Sequence, residues 1–402
     1  MRITIYSNAP WTPTGYGTQT AQLARRLRDD GHDLAIASNY GEMARITDWE
    51  GIPVYPGGAD RYSTDLIERV HRIHDGDLLI GLYDSWVIGE AVANLPAVWW
   101  TPIDHDPAPP KVAAFAEKHR IITMSEFGKR TLAKEGIAST LIPHGLDTAA
   151  YQPRPSDFRE RNGIPADAFL VVINAANQDN SPSRKAWPEM LLALARFMDR
   201  RDVWVYLNTD VTRPSGISIP GLIALLGLDA KRIRATDPLD YRLGLTSAEE
   251  VAEMYTAGDV LLAASRGEGF GLAVPEAMLC GTPAVVSDFS AQPELVGDTG
   301  WKVRWQPEYD AFQGSFWATP YIGSIVAALE AAYSEKGTQS AQDRRSAARA
   351  HAAQYDADTV YAKRWRPFLA ALEADLERQG EVAEKPRPGN TKAAKRRGRK
   401  AA

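Results

Sequence analysis

Cysteine is almost missing from this chain. Cys280 is the single one in 402 residues, so no intramolecular disulfide can form. One lone thiol fits a reducing compartment. Long apolar runs are missing too. None approaches the roughly 18 residues of a membrane span, and Met1-Arg2-Ile3-Thr4-Ile5-Tyr6 lacks the apolar stretch of a secretory leader. The sequence therefore reads as a cytoplasmic protein with no transmembrane segment. Positive charge is scarce outside one place. The formal net charge is -5, yet Lys385, Arg387, Lys392, Lys395, Arg396, Arg397, Arg399 and Lys400 fall together with no acid among them. The remaining body is correspondingly acidic, which argues against binding nucleic acid through the fold. The basic stretch, rich in Pro and Gly, reads as a disordered tail over residues 380–402.

What is present is an ordinary globular composition, 44% hydrophobic and 24% charged, with length for two or three domains. Short β-branched or apolar runs alternate with helical patterns. One series lies at 3–7, 34–38, 78–82, 97–100, 121–125 and 140–143. A second lies at 169–174, 203–208, 232–235, 260–264 and 284–287. The runs are continuous rather than alternating, as strands buried on both faces should be. Strands spaced by helices imply βαβ units and parallel sheets. The expected fold class is α/β, with two Rossmann-like domains joined near residues 151–157, where prolines cluster. The first would span 1–155 and the second 156–352. Thr246-Ser247-Ala248-Glu249-Glu250 has the form of a capping box, and Gly31 that of a helix stop. Trp365, Leu369, Leu372 and Leu376 recur at helical spacing within a final segment, 353–379.

The chemistry concentrates in Ser265-Arg266-Gly267-Glu268-Gly269-Phe270-Gly271-Leu272-Ala273-Val274-Pro275-Glu276. The stretch follows an expected strand and enters an expected helix. Its glycines let backbone N–H groups approach a ligand, and a helix N-terminus suits a phosphate. Glu268 and Glu276 bracket it, and carboxylates accept hydrogen bonds well from sugar and ribose hydroxyls. Arg184 and Lys185 form a basic pair suited to a negatively charged group. Asp104-His105-Asp106 follows another strand, at the end where open α/β sheets place ligands. Asp104-x-Asp106 is also formally a D-x-D, a spacing that can chelate a divalent ion. Of the eleven tryptophans, Trp11, Trp86, Trp99 and Trp100 fall on the cleft side of the first domain. His71 and His74 read as surface residues, and Cys280 as small packing.

The Glu268–Glu276 stretch resembles the E-x7-E signature of glycosyltransferase family 4. The flanking Gly258-Asp259-Val260 and Gly281-Thr282-Pro283-Ala284-Val285-Val286 continue the likeness. Ile142-Pro143-His144-Gly145-Leu146-Asp147 resembles the family's inter-domain segment, with His144 in place of the usual Asn. Gly15-Tyr16-Gly17 resembles its N-terminal glycine loop and Gly31-His32-Asp33 the approach to its second strand.

The resemblance implies a GT-B fold, two Rossmann-like domains facing across a cleft, with a C-terminal helix crossing back onto the first. It implies a retaining, metal-independent transfer of a hexose from a UDP- or GDP-sugar to a hydroxyl of a glycan, lipid or protein acceptor, with no permanently bound cofactor. Glu276 would hold the ribose and Glu268 the donor sugar, with the backbone of Gly269, Phe270, Gly271 and Leu272 beside it. Arg184 and Lys185 would grip the diphosphate. His105 would contact the donor sugar, and Gly15, Gly17 and Asp104 would complete the donor site. Two other readings compete: an epimerase-like enzyme of the same fold, and a non-catalytic sugar-nucleotide-binding protein. A homo-oligomer is left open.

Overall fold

The structure is a computed structural model that describes residues 1–88, 92, 94–178, 183–199 and 201–380. The basic tail and part of the loop before Arg184 lie outside the described residues. Among those described, β1 (Arg2–Ser7), β2 (Asp33–Ser38), β3 (Thr47–Trp49), β4 (Ile52–Tyr55), β5 (Leu78–Leu82), β6 (Ala97–Thr101), β7 (Arg120–Thr123) and β8 (Ser139–Leu141) form one sheet in the order β3-β4-β2-β1-β5-β6-β7-β8. Only β3 runs antiparallel to its neighbour. A second, all-parallel sheet holds β9 (Phe169–Asn174), β10 (Val203–Asn208), β11 (Ile233–Ala235), β12 (Val260–Ala263), β13 (Ala284–Ser287) and β14 (Trp301–Val303) in the order β11-β10-β9-β12-β13-β14.

These strands form because Val, Ile and Leu fill both faces. Every residue of β5 and β13 is buried, as are all but the last of β9. In each sheet the chain reverses its direction of travel, beside β1 and beside β9, and the C-terminal strand ends there open a crevice. The two crevices face each other, which makes the architecture GT-B.

Three differences from the sequence reading matter. The first helix begins at Gly15, where a glycine loop is expected, with Thr14 as its N-cap accepting from Gly17 N–H, so Gly15 and Gly17 stand in a helical turn. Trp99 and Trp100 are fully buried core residues; Trp100 donates to Ile142 O and packs on Trp365, ring centroids 5.0 Å apart, so neither is available to a sugar. His71 is buried, its Nδ1 3.1 Å from Thr4 Oγ1, because its helix lies flat on the first sheet. Cys280 is buried, and burial pushes its thiol up to about 12, as inert packing should have it.

An unexpected hairpin interrupts the second domain. β15 (Trp305–Asp310) and β16 (Ser315–Pro320) pair antiparallel between β14 and the helix Ile322–Ser334. Near the end, helical turns run continuously from Ala357 to Gln379. Trp365, Leu369, Leu372 and Leu376 are buried in the same apolar cluster as Ile3, Leu23 and Leu27 of the first domain. The crossing is latched by ion pairs from Arg26 to Asp358 and from Arg366 to Asp30, both 2.7 Å.

Candidate active site

Glu268 is buried with two cations on it. Lys185 Nζ is 2.5 Å from its Oε1 and Arg184 Nη1 is 2.9 Å from its Oε2. Arg184 also donates to Gly267 O, and Ser290 Oγ accepts from the Glu268 N–H. Burial alone would raise this carboxyl; the charges of Lys185 and Arg184 outweigh it and hold the group at about 2. Glu268 is therefore a fixed anion, with a strong positive field beside it.

Glu276, one turn into the helix Ala273–Leu279, is equally buried but pairs with no cation among the described residues. Burial pushes it up to about 7, against hydrogen bonds from Tyr255 and Tyr151. Tyr255 Oη donates to Glu276 Oε2 at 3.2 Å and accepts from Asn174 Nδ2 at 2.6 Å. Asn208 Nδ2 donates to Asn174 Oδ1, and Thr236 Oγ1 donates to Asn208 Oδ1. A polar ladder thus crosses the C-terminal ends of β9 and β10, from Thr236 to Glu276. Its asparagines terminate strands and carry no motif, so the sequence reading missed them.

The glycines of the loop have a second reason to exist. A Cβ on Gly267 would lie 2.4 Å from Asp104 O, and one on Gly269 would lie 2.2 Å from Pro102 Cβ. The loop after β6 presses its backbone into the second domain at those two points. Gly271 has φ of +102°, a conformation costly for any side chain. Leu272 faces Gly15, where a Cβ would lie 3.2 Å from Leu272 Cδ1. Phe270 is buried, edge-on to His144 at 5.1 Å and to Tyr355 at 5.4 Å, so it fastens the inter-domain segment rather than lining open space.

On the first domain, Asp104 and His105 point different ways. Asp104 interacts across the cleft with Arg184 and Glu268, and its carboxyl, against its burial, is lowered chiefly by His105. His105 is turned under the hairpin, stacked 5.2 Å from Trp317 at an interplanar angle of 18°. Asp106 goes a third way, to Lys134 at 2.6 Å. The two acids of the D-x-D thus have separate partners. Asp84, just past β5, joins the cleft group. Tyr16 Oη donates to its Oδ2 at 2.9 Å, and burial with the neighbouring charge of Asp104 raises its carboxyl. The only signal for it in the sequence was its place at the C-terminal end of a strand.

Residues 227–313, which contain this loop and both acids, match the family model described as "Glycosyl transferases group 1". This segment of the chain is similar to group 1 glycosyl transferases. It is 35% identical over 160 residues to the MMP alpha-(1->4)-mannosyltransferase of Mycolicibacterium hassiacum, an alignment covering 40% of this chain and 34% of that one. The chain spans about a third of the length of the curated relatives it matches. Its fold matches sucrose-phosphate synthase from Thermosynechococcus elongatus at a TM-score of 0.74 and 17% identity, covering 93% of this chain and 100% of that one. Anabaena Alr3699/HepE in complex with UDP-glucose matches at 0.68 and 19% identity, with the same coverages. The family resemblance rests on this segment; the fold resemblance extends over both domains.

A cavity of about 820 Å³ lies away from the cleft, between the segment 154–169 and the helix Gln339–Ala352. Its arginines are engaged within the protein: Arg159 donates to Ala257 O and pairs with Asp259, Arg345 donates to Thr256 O and Gly258 O, and Arg344 pairs with Glu335. It is a seam between packed elements. No helix among the described residues is long and apolar enough to cross a membrane.

Proposed function

We propose that the chain is a retaining glycosyltransferase that moves a hexose from a UDP- or GDP-sugar to an acceptor hydroxyl without a catalytic metal. The observation that carries this reading is the Arg184–Lys185–Glu268 cluster, at the junction of the loop and the crevice of the first domain. Two fixed cations in a partly desolvated cleft are suited to charge developing on a leaving diphosphate. Glu268, kept ionised, accepts hydroxyls of the transferred sugar. Glu276, held by tyrosines alone, accepts the ribose hydroxyls, and the ladder to Thr236 lies where the base would extend. Asp104, across from Arg184 and Glu268, completes the donor site, with Asp84 beside it. A departing phosphate oxygen takes the acceptor's proton on the same face, so no enzyme nucleophile is required. The named activities of the matched relatives and the UDP-glucose in the Anabaena structure agree with such a donor. The separate partners of Asp104 and Asp106 favour the cations over a chelated metal. We place the acceptor-side domain at 1–155, the donor domain at 156–352 and the crossover at 353–379.

Thermal unfolding with a panel of UDP- and GDP-sugars in EDTA tests the donor site. A ligand at about 100 times its Kd contributes roughly 2.7 kcal/mol, a shift of several degrees. One base should stabilise the protein and release free nucleotide when an acceptor is added. Binding that appears only with Mn2+ would return the chemistry to Asp104 and Asp106.

A further inference from the structure

We propose that Asp310, on the hairpin of the second domain, is a positioning residue that acts through His105 on Asp104, so that this part of the donor site is assembled only when the two domains are closed. The inference rests on the glycosyltransferase reading for its catalytic consequence and on geometry for the rest. His105 Nδ1 is 2.7 Å from Asp104 Oδ1, and its Nε2 is 3.3 Å from Asp310 Oδ2. Two carboxylates at opposite nitrogens require a donor at each, which is the imidazolium form. The ring is stacked on Trp317 and 3% exposed, so it has no further freedom. Asp104 then has one oxygen fixed by His105 and lies across from Arg184 and Glu268.

The hairpin is built to deliver Asp310. Asp106 N–H donates to Phe316 O at 3.0 Å, and Ser315 Oγ donates to Pro107 O at 2.5 Å. At the tip Phe312 meets Trp86 edge-on at 5.2 Å. At the base Arg266 ties the hairpin to the signature loop, through Thr319 at 2.6 Å and through Glu308. The charged groups facing the ring are Asp104 from its own loop and Asp310 from β15. The nearby cations are engaged elsewhere, Lys134 with Asp106 and Arg266 with Glu189 and Glu308. Burial opposes the charged ring, and the two acids raise it above its ordinary value. The contacts of His105 with Asp310 and Trp317, of Asp106 and Pro107 with the hairpin, and of Trp86 with Phe312 each join one domain to the other. An opened cleft would leave His105 with one carboxylate and Asp104 free to turn.

The test is Asp310→Asn in the full chain, read two ways. In the first, 15N-histidine NMR, with the His105 signals assigned by loss in His105→Gln, follows the ring through neutral pH. The wild type should keep both nitrogens protonated well above pH 6.5, the ordinary midpoint. Asp310→Asn should titrate at least one unit lower. In the second, kcat should fall ten-fold or more while the donor KM stays within three-fold, and Asp310→Glu should recover part of kcat. Phe312→Ala, which loosens the tip without touching the ring, should leave the His105 titration unchanged. The proposal is overturned if Asp310→Asn leaves the His105 signals and kcat as in the wild type. It is equally overturned if kcat and KM worsen together with a lowered Tm, which is the mark of a merely structural acid. If the wild type turns over no nucleotide sugar, the functional reading fails, while the NMR arm still decides whether Asp310 holds His105.

Discussion

Glu268 and Glu276 belong to one short motif and are both buried, yet the fold treats them in opposite ways. Glu268 is met by Lys185 and Arg184 and held at about 2. Glu276 is met by tyrosine hydroxyls and pushed up to about 7. The sequence spacing makes them look equivalent; what separates them is which neighbours reach them. Lys185 and Arg184 precede the helix Trp187–Phe197 and reach over the loop of Glu268, whereas Tyr255 and Tyr151 come from elements behind the helix Ala273–Leu279. One acid belongs to a permanent charge cluster. The other is a hydrogen-bonding group whose charge depends on pH.

The sharpest way to break this contrast is to remove a cation. Lys185→Ala should lower kcat by about 10² to 10³, the usual cost of losing a donor aimed at developing charge. It should also destabilise the fold by about 3 kcal/mol, because a buried carboxylate loses half its pairing. Adding Glu268→Gln should restore much of the Tm and none of the activity. If Tm is unchanged in the single variant, Glu268 is not held as an anion by this pair, and the comparison fails. A smaller effect is expected where the two domains touch. Gly269→Ala must push Pro102 away. Activity should fall about ten-fold, on the order expected when a catalytic group is slightly misplaced, and solution scattering should show a larger radius of gyration. An unchanged radius would mean that the glycine serves the ligand alone.

The smallest effect sharpens the other half. Glu276 has a folded pKa above its unfolded value. Its proton therefore stabilises the fold fully below about pH 4.5, and that contribution is lost as pH rises through about 7. Glu276→Gln, uncharged throughout, should match the wild-type Tm at pH 5 and exceed it by a few degrees at pH 8.5. Glu268 has the opposite sign: its contribution is present above about pH 4.5 and fades as pH falls through about 2. A Glu276→Gln difference independent of pH would show that its carboxyl does not titrate near neutrality.

Much of the fold was legible because strands buried on both faces leave continuous apolar runs. The runs at 78–82, 169–174, 203–208 and 284–287 coincide with β5, β9, β10 and β13. The hairpin was illegible for the complementary reason. Trp305-Gln306-Pro307-Glu308-Tyr309 is mostly solvated, neither alternating nor continuous, and among the described residues it pairs only with its neighbour β16. β3 and β4 are too short for periodicity, and their turn at Gly51 shows only once folded. In the site, Glu268, Arg184 and Lys185 were found through the motif, and the structure brings them together. Asp84, Asp310, Asn174 and Asn208 are single polar residues at strand ends, which no local pattern marks. Nor could the sequence assign Gly267 and Gly269 to close packing, because their neighbours lie far away in the chain.

The helical segment 357–379 also sets an order of events. Trp100, at the heart of the domain made first, rests on Trp365, and the Met1 amino group lies 3.8 Å from a carboxylate oxygen of Glu373. During synthesis the leading domain emerges with that side of its core bare, and it must wait through the whole of the second domain for its cover. The opening half of the chain is the last to be finished.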